Sequence, residues 1–103
     1  MSRSLRFLPE VARDFADAFA YYEAISPSAA LRFDAEFDRA VAAVESGMVT
    51  HQRVFEHYQR IFVDRFPYQI YYRLTSDHVV IVGVLYTRFS PERLKATLRE
   101  RVD

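Results

Sequence analysis

Residues 60–86 constrain the fold of this chain more than any other stretch. From Tyr68 to Leu74 the residue types alternate, with Tyr68, Ile70, Tyr72 and Leu74 on one side and Gln69, Tyr71 and Arg73 on the other. That period of two belongs to a half-buried strand, and it predicts one face turned to a core and the other left as a working surface. Residues 60–63 supply a strand before it, Thr75-Ser76-Asp77 a turn after it, and residues 79–86 an apolar run on both parities. A strand apolar on both parities is covered on both faces or central in its sheet. The three strands are expected to form a meander with residues 79–86 at the centre of the fold.

The chain before the meander reads as helical. Residues 4–8 form a short strand candidate ended by Pro9, which can open a helix because its missing N–H would be unpaired in the first turn anyway. Val11, Phe15, Ala18, Tyr22 and Ile25 then recur at spacings of three and four, one stripe of an amphipathic helix. Ser26-Pro27 ends this helix and opens the next, with Ser26 as N-cap and Pro27 at the first helical position. The second stripe is Ala30, Phe33, Phe37, Ala40, Val41, Val44 and Met48, and Gly47 is the expected terminator. So short a connection predicts an antiparallel helical hairpin.

Residues 49–56 are expected to be a connection containing a short strand. After the meander, Ser90-Pro91 repeats the cap-and-proline device. Leu94, Leu98 and Val102 mark a short C-terminal helix whose other faces carry Arg93, Lys95, Arg99 and Arg101. Its stripe of three is narrow, which predicts weak packing and ordering on a partner.

A length of 103 residues fits one domain, 1–103, able to bury roughly 60–70% of its unfolded surface. With no cysteine, neither disulfides nor thiolate metal sites are available. No run reaches the roughly 20 apolar residues that span a bilayer, and residues 1–9 lack a signal-peptide core, so a cytoplasmic location is expected. The formal net charge of +0 hides a division. Residues 9–48 carry eight acids against three arginines, and residues 49–103 carry nine bases against six acids. This asymmetry suits a polyanion-facing sheet backed by acidic helices, and equally an ordinary solvated surface.

Several chemistries are excluded. Two glycines, Gly47 and Gly83, cannot build a phosphate-cradling loop, and no serine sits in a nucleophile elbow. His51, His57 and His78 lack metal-site spacing, so no metal and no cofactor are expected. Asp14 and Asp17 read as a solvated helix face rather than an acid/base pair. What remains is Arg60, Arg65, Arg73 and Arg88 with Tyr71 and Tyr86. Arginine's planar fork suits phosphate, and tyrosine can stack on a base or move a proton. The same residues also fit a plainer arrangement, with tyrosines in the core and arginines solubilising a sheet face.

The run Arg65-Phe66-Pro67-Tyr68-Gln69-Ile70-Tyr71-Tyr72-Arg73, followed by the apolar strand and Leu85-Tyr86-Thr87-Arg88-Phe89-Ser90-Pro91, resembles the RelE/ParE superfamily. These are toxins of type II toxin–antitoxin pairs, and the resemblance covers nearly the whole chain. It implies an α+β fold of β-α-α-β-β-β order, a helical hairpin packed on one face of a small, mainly antiparallel curved sheet, with a short C-terminal helix. It also implies bacterial growth inhibition or plasmid stabilisation, a cognate antitoxin as partner, and either DNA gyrase or the ribosome with its mRNA as target. Nucleases of the superfamily usually carry an arginine where Gln69 stands, often a histidine where Tyr86 stands, and often a base and an acid where Phe89 and Ser90 stand. Arg88 matches the remaining arginine.

This thin catalytic set favours a ParE-like inhibitor of DNA gyrase that acts by binding. The alternatives are a RelE-like, metal-independent mRNA endonuclease and a non-toxic antitoxin-binding remnant. In a nuclease Arg88 would stabilise the transition state and Tyr86 would act as acid or base. Arg60, Arg65, Gln69, Tyr71, Arg73, Arg93, Lys95 and Arg99 are the candidate target contacts, and Tyr21 and Phe89 the candidate antitoxin contacts.

Overall fold

A computed structural model describes residues 3–47 and 52–102 of the chain, without the side chain of Gln52. The elements are β1 (Ser4–Phe7), α1 (Pro9–Ile25), α2 (Pro27–Ser46), β2 (Gln52–Phe55), β3 (Tyr58–Phe62), β4 (Tyr68–Leu74), β5 (His78–Tyr86) and α3 (Pro91–Val102). The architecture is α+β, with β2 as a fourth strand after the hairpin. Met48 and His51 lie outside the described residues.

The five strands form one sheet in the order β1-β5-β4-β3-β2. β1 runs parallel to β5, pairing Ser4 with His78 and Phe7 with Ile81. The remaining pairs are antiparallel. β5 therefore lies between β1 and β4, inside the sheet, as its apolar run predicts. The turn after β4 closes where expected: the Thr75 N–H donates to the His78 carbonyl, and the His78 N–H donates to Thr75 Oγ1, both at 2.9 Å.

The helix ends follow local chemistry. The Ala29 N–H donates to Ser26 Oγ at 3.1 Å, which caps α2 one residue before Pro27. Gly47 ends α2 at φ 74°, a left-handed conformation that a side chain would strain. At α3 the Arg93 N–H donates to Ser90 Oγ at 3.2 Å, ahead of Pro91.

α1 and α2 pack antiparallel, Phe15 against Phe37 and Tyr22 against Phe33, and cover one sheet face. Phe33, Ile70, Tyr72 and Ile81 are completely buried there. Each such side chain contributes roughly 1.5–3 kcal/mol by leaving water. Ile25, expected on the stripe of α1, is exposed at the last residue of the helix.

The opposite face corrects two expectations. Tyr71 (3% exposed) and Gln69 (6%) are buried rather than displayed. They are covered because α3 docks on this face: Leu98 is fully buried among Tyr58, Tyr71, Val82 and Leu85. The Tyr58 hydroxyl also donates to the Leu98 carbonyl at 3.3 Å. α3 is thus a packed layer of the fold. Its stripe of three suffices because β2, β3, β4 and β5 supply the other half of a second core.

A bulge lets β5 serve both cores. Tyr71 pairs with Gly83 but Tyr72 with Ile81, so Val82 is an extra residue on β5. Val79 and Ile81 face the hairpin before it and Val84 after it, while Val82 and Leu85 face α3. The parity switch accounts for an apolar run with no alternation.

Candidate functional site

The chemistry-bearing residues gather where the first turns of α3 cross the β2–β4 corner of the sheet. Between them lies a half-enclosed crevice of about 340 Å³. Its floor is Arg60 of β3 with Gln69 and Tyr71 of β4, its walls include Val54 and Phe55 of β2, and Leu94 and Lys95 of α3 close it from above. Tyr86 and Phe89 stand at the end where β5 leads into α3.

The polar floor is ordered. The Tyr71 hydroxyl donates to Gln69 Oε1. Burial pushes the Tyr71 hydroxyl above its ordinary pKa, and the Arg60 guanidinium beside it partly opposes that rise. Arg60 Nε is fully buried and has no hydrogen-bond partner among the described residues. Among the described residues no carboxylate lines the crevice. The floor is therefore a neutral pair of side chains holding one arginine, with Lys95 above.

The other cations are dispersed. Arg65 is exposed in the β3–β4 turn at φ 70°, 4.0 Å from Asp64. Arg73 lies at the far end of α3, its guanidinium carbon 5.7 Å from the Tyr58 ring centre. Arg88 is exposed in the β5–α3 turn and does not line the crevice. The Arg93 guanidinium lies over the Phe89 ring, 4.0 Å from its centre. Lys95 Nζ lies 5.6 Å from the centre of the Phe55 ring. Arg99 Nε donates to Glu56 Oε1 at 3.0 Å, and this bond holds the Glu56 carboxyl below its usual range.

Of the candidate target contacts, Arg60, Gln69, Tyr71 and Lys95 thus converge, while Arg65, Arg73, Arg93 and Arg99 do not. Of the catalytic pair, Tyr86 reaches the crevice and Arg88 does not. The candidate antitoxin contacts differ in setting. Tyr21 is 61% exposed and borders a shallow hollow with Ile25, Pro67, Tyr68 and Tyr86. Phe89 is half-buried in the α3 seam. Of the histidines, His57 is exposed and His78 half-buried, and no cluster of potential metal ligands occurs among the described residues.

Asp14 does not belong to a solvated face. Its Oδ2 accepts from the Val84 N–H at 3.0 Å, and its Oδ1 accepts from Arg101 Nη2 at 2.8 Å. Arg101 Nη1 also donates to the Val82 carbonyl at 3.2 Å. The bond to Asp14 raises the Arg101 pKa further. One sequence signal pointed here: Gly83, where an added Cβ would come within 2.7 Å of Arg101 Nη1. The part played by Val54, Phe55 and Leu94 in walling the crevice carried no such signal.

Residues 5–91 match the family described as "ParE toxin of type II toxin-antitoxin system, parDE", a match that ends at the first residue of α3. Toxin ParE2 of two Mycobacterium tuberculosis strains, CDC 1551 / Oshkosh and ATCC 25618 / H37Rv, is 26% identical over 102 residues, covering 98% of this chain and 97% of the relative. A solved structure described as "Chromosomal ParDE TA system from P. aeruginosa" superposes with a TM-score of 0.73 at 15% identity. It covers 84% of this chain and 98% of its own, and at that identity shows a shared fold. On the family match and the full-length relatives, the chain belongs to the ParE toxin family of type II toxin–antitoxin systems.

Proposed function

We propose that this toxin inhibits DNA gyrase by binding it and is neutralised by a cognate antitoxin. The observation that carries the reading is the position of α3. A nuclease of the related kind needs an open basic sheet face along which an mRNA strand can lie, whereas here α3 covers that face and Gln69 and Tyr71 bond to each other beneath it. Arg88 lies outside the crevice that Tyr86 lines, so the two residues expected to act as a catalytic pair do not line one site. α3 instead presents Arg93 and Lys95 outward, suited to a large polyanionic complex. For the antitoxin, the exposed Tyr21 and Ile25 beside Tyr68 and Tyr86 offer an apolar surface for a segment that folds on contact.

The test is inducible expression in a bacterial host, followed for growth, mRNA integrity and the DNA-damage response, with purified protein added to a gyrase supercoiling assay. The expected result is arrest with DNA damage, intact mRNA and inhibited supercoiling, unchanged in Arg88→Ala. Arrest with cut ribosome-bound mRNA, abolished by Arg88→Ala, would make the protein a nuclease. No arrest from folded protein would leave an antitoxin-binding remnant.

A further inference from the structure

The crevice under α3 has the makings of a ligand site that the gyrase reading, on which it does not rest, does not require. Its volume, about 340 Å³, lies at the small end of the roughly 300–1,000 Å³ occupied by ligand sites. It is lined by cations at two levels, Arg60 on the sheet and Lys95 on the helix, with no acid between them among the described residues. The Arg60 guanidinium is already engaged by the Tyr71 oxygen, while its buried Nε has no partner among the described residues. Buried donors are almost always satisfied, and a guanidinium donor without a partner beside a cation-lined crevice calls for a carboxylate or phosphate acceptor. The rest of the wall includes Val54, Phe55 and Leu94, an apolar side to the crevice.

We propose that this crevice binds a small aryl anion, with its carboxylate or phosphate on Arg60 and Lys95 and its ring among Val54, Phe55 and Leu94. Neither group alone is enough. A small inorganic anion leaves the apolar slot wet, and a neutral ring leaves the Arg60 donor without an acceptor. Because the roof is α3 and the floor is the sheet, the ligand touches both and holds them together. Lys95 also belongs to the surface proposed for gyrase, whereas Arg60 lies beneath α3 and belongs to the crevice alone.

The experiment is an amide NMR titration of the purified full chain with phenylacetate, phenyl phosphate, inorganic phosphate and benzyl alcohol. Saturable shifts are expected at Val54, Arg60, Gln69, Tyr71 and Leu94 with at least one aryl anion. Its affinity should exceed that for inorganic phosphate and benzyl alcohol by about tenfold or more. Which aryl anion binds tighter identifies the headgroup. Arg60→Gln should weaken binding by about tenfold, and the exposed Lys95→Ala should weaken it less but in the same direction. Four results would overturn the proposal: no saturable shift at these residues, benzyl alcohol binding as well as the anions, inorganic phosphate doing so, or folded Arg60→Gln and Lys95→Ala both binding as the native chain does.

Discussion

Asp14 of α1 and Arg101 of α3 meet on the open side of β5, and each also bonds one backbone group of that strand. β1 pairs with β5 only as far as Ile81, and the Leu8 N–H makes the last backbone bond, to the Ile81 carbonyl at 3.0 Å. Beyond that point the ion pair replaces a neighbouring strand, accepting from the Val84 N–H and donating to the Val82 carbonyl.

Arg101→Ala should therefore cost more than a surface ion pair. Both side chains are largely buried, at 15% and 11% exposure, and removal of one leaves a buried carboxylate without its cation. A loss of about 3 kcal/mol is expected in urea unfolding, with faster amide exchange throughout α3. A loss under about 0.5 kcal/mol would place the pair with ordinary surface contacts.

Gly83→Ala should destabilise through the same pair. The new Cβ would sit 2.7 Å from Arg101 Nη1 and 3.4 Å from Asp14 Oδ2, too close for the guanidinium to remain. About 1–3 kcal/mol is expected in the native chain and much less in an Arg101→Ala background. Equal costs in the two backgrounds would mean that the backbone, and not the ion pair, excludes the side chain.

Alkaline unfolding should be steep. Burial, followed by the neighbouring Tyr68, Tyr21 and Tyr86, pushes the Tyr22 hydroxyl from 10.0 up to about 12. Tyr68, Tyr71 and Tyr72 shift in the same direction, each chiefly through burial. A raised folded pKa means that the native state holds its proton more tightly. The associated stability is complete below the unfolded value and is lost as pH rises through the folded one. Stability should fall between pH 10.0 and about 12, and Tyr22→Phe should make that fall shallower when denaturant midpoints are compared across the window.

Charge reversal on the outer face of α3 tests the proposed target surface. Arg93→Glu combined with Lys95→Glu changes exposed side chains only, so the melting temperature should stay close to that of the native protein. Inhibition of supercoiling should weaken by about tenfold or more. Undiminished inhibition by the folded variant would move the gyrase contact elsewhere.

Local chemistry was readable wherever it was sufficient. The caps at Ser26 and Ser90, the stop at Gly47 and the alternation from Tyr68 to Leu74 each depend on neighbours in sequence, and each appears as expected. The covering of Gln69 and Tyr71 was not readable, because it depends on α3 finding Tyr58, Val82 and Leu85, and three apolar residues give no measure of what awaits them. Asp14 looked solvated because its partner lies 87 residues away. At the candidate site the residue types were identified but not their grouping. Arg60, Gln69, Tyr71 and Lys95 meet only through sheet register and helix docking, whereas Arg65, Arg73 and Arg88 fall on turns and ends that composition cannot distinguish.

The ion pair beside β5 also bears on the order in which the molecule is made. α3 follows in sequence every strand it covers, so on the ribosome the sheet emerges before its lid and before Arg101. Until then one apolar face of β5 is bare and the Val82 carbonyl is unclaimed by the protein, a combination that invites another nascent chain to pair along the same edge. Arrival of α3 covers the face and occupies the edge in one event. The interval between synthesis of β5 and docking of α3 is thus the period in which that face of the sheet is uncovered.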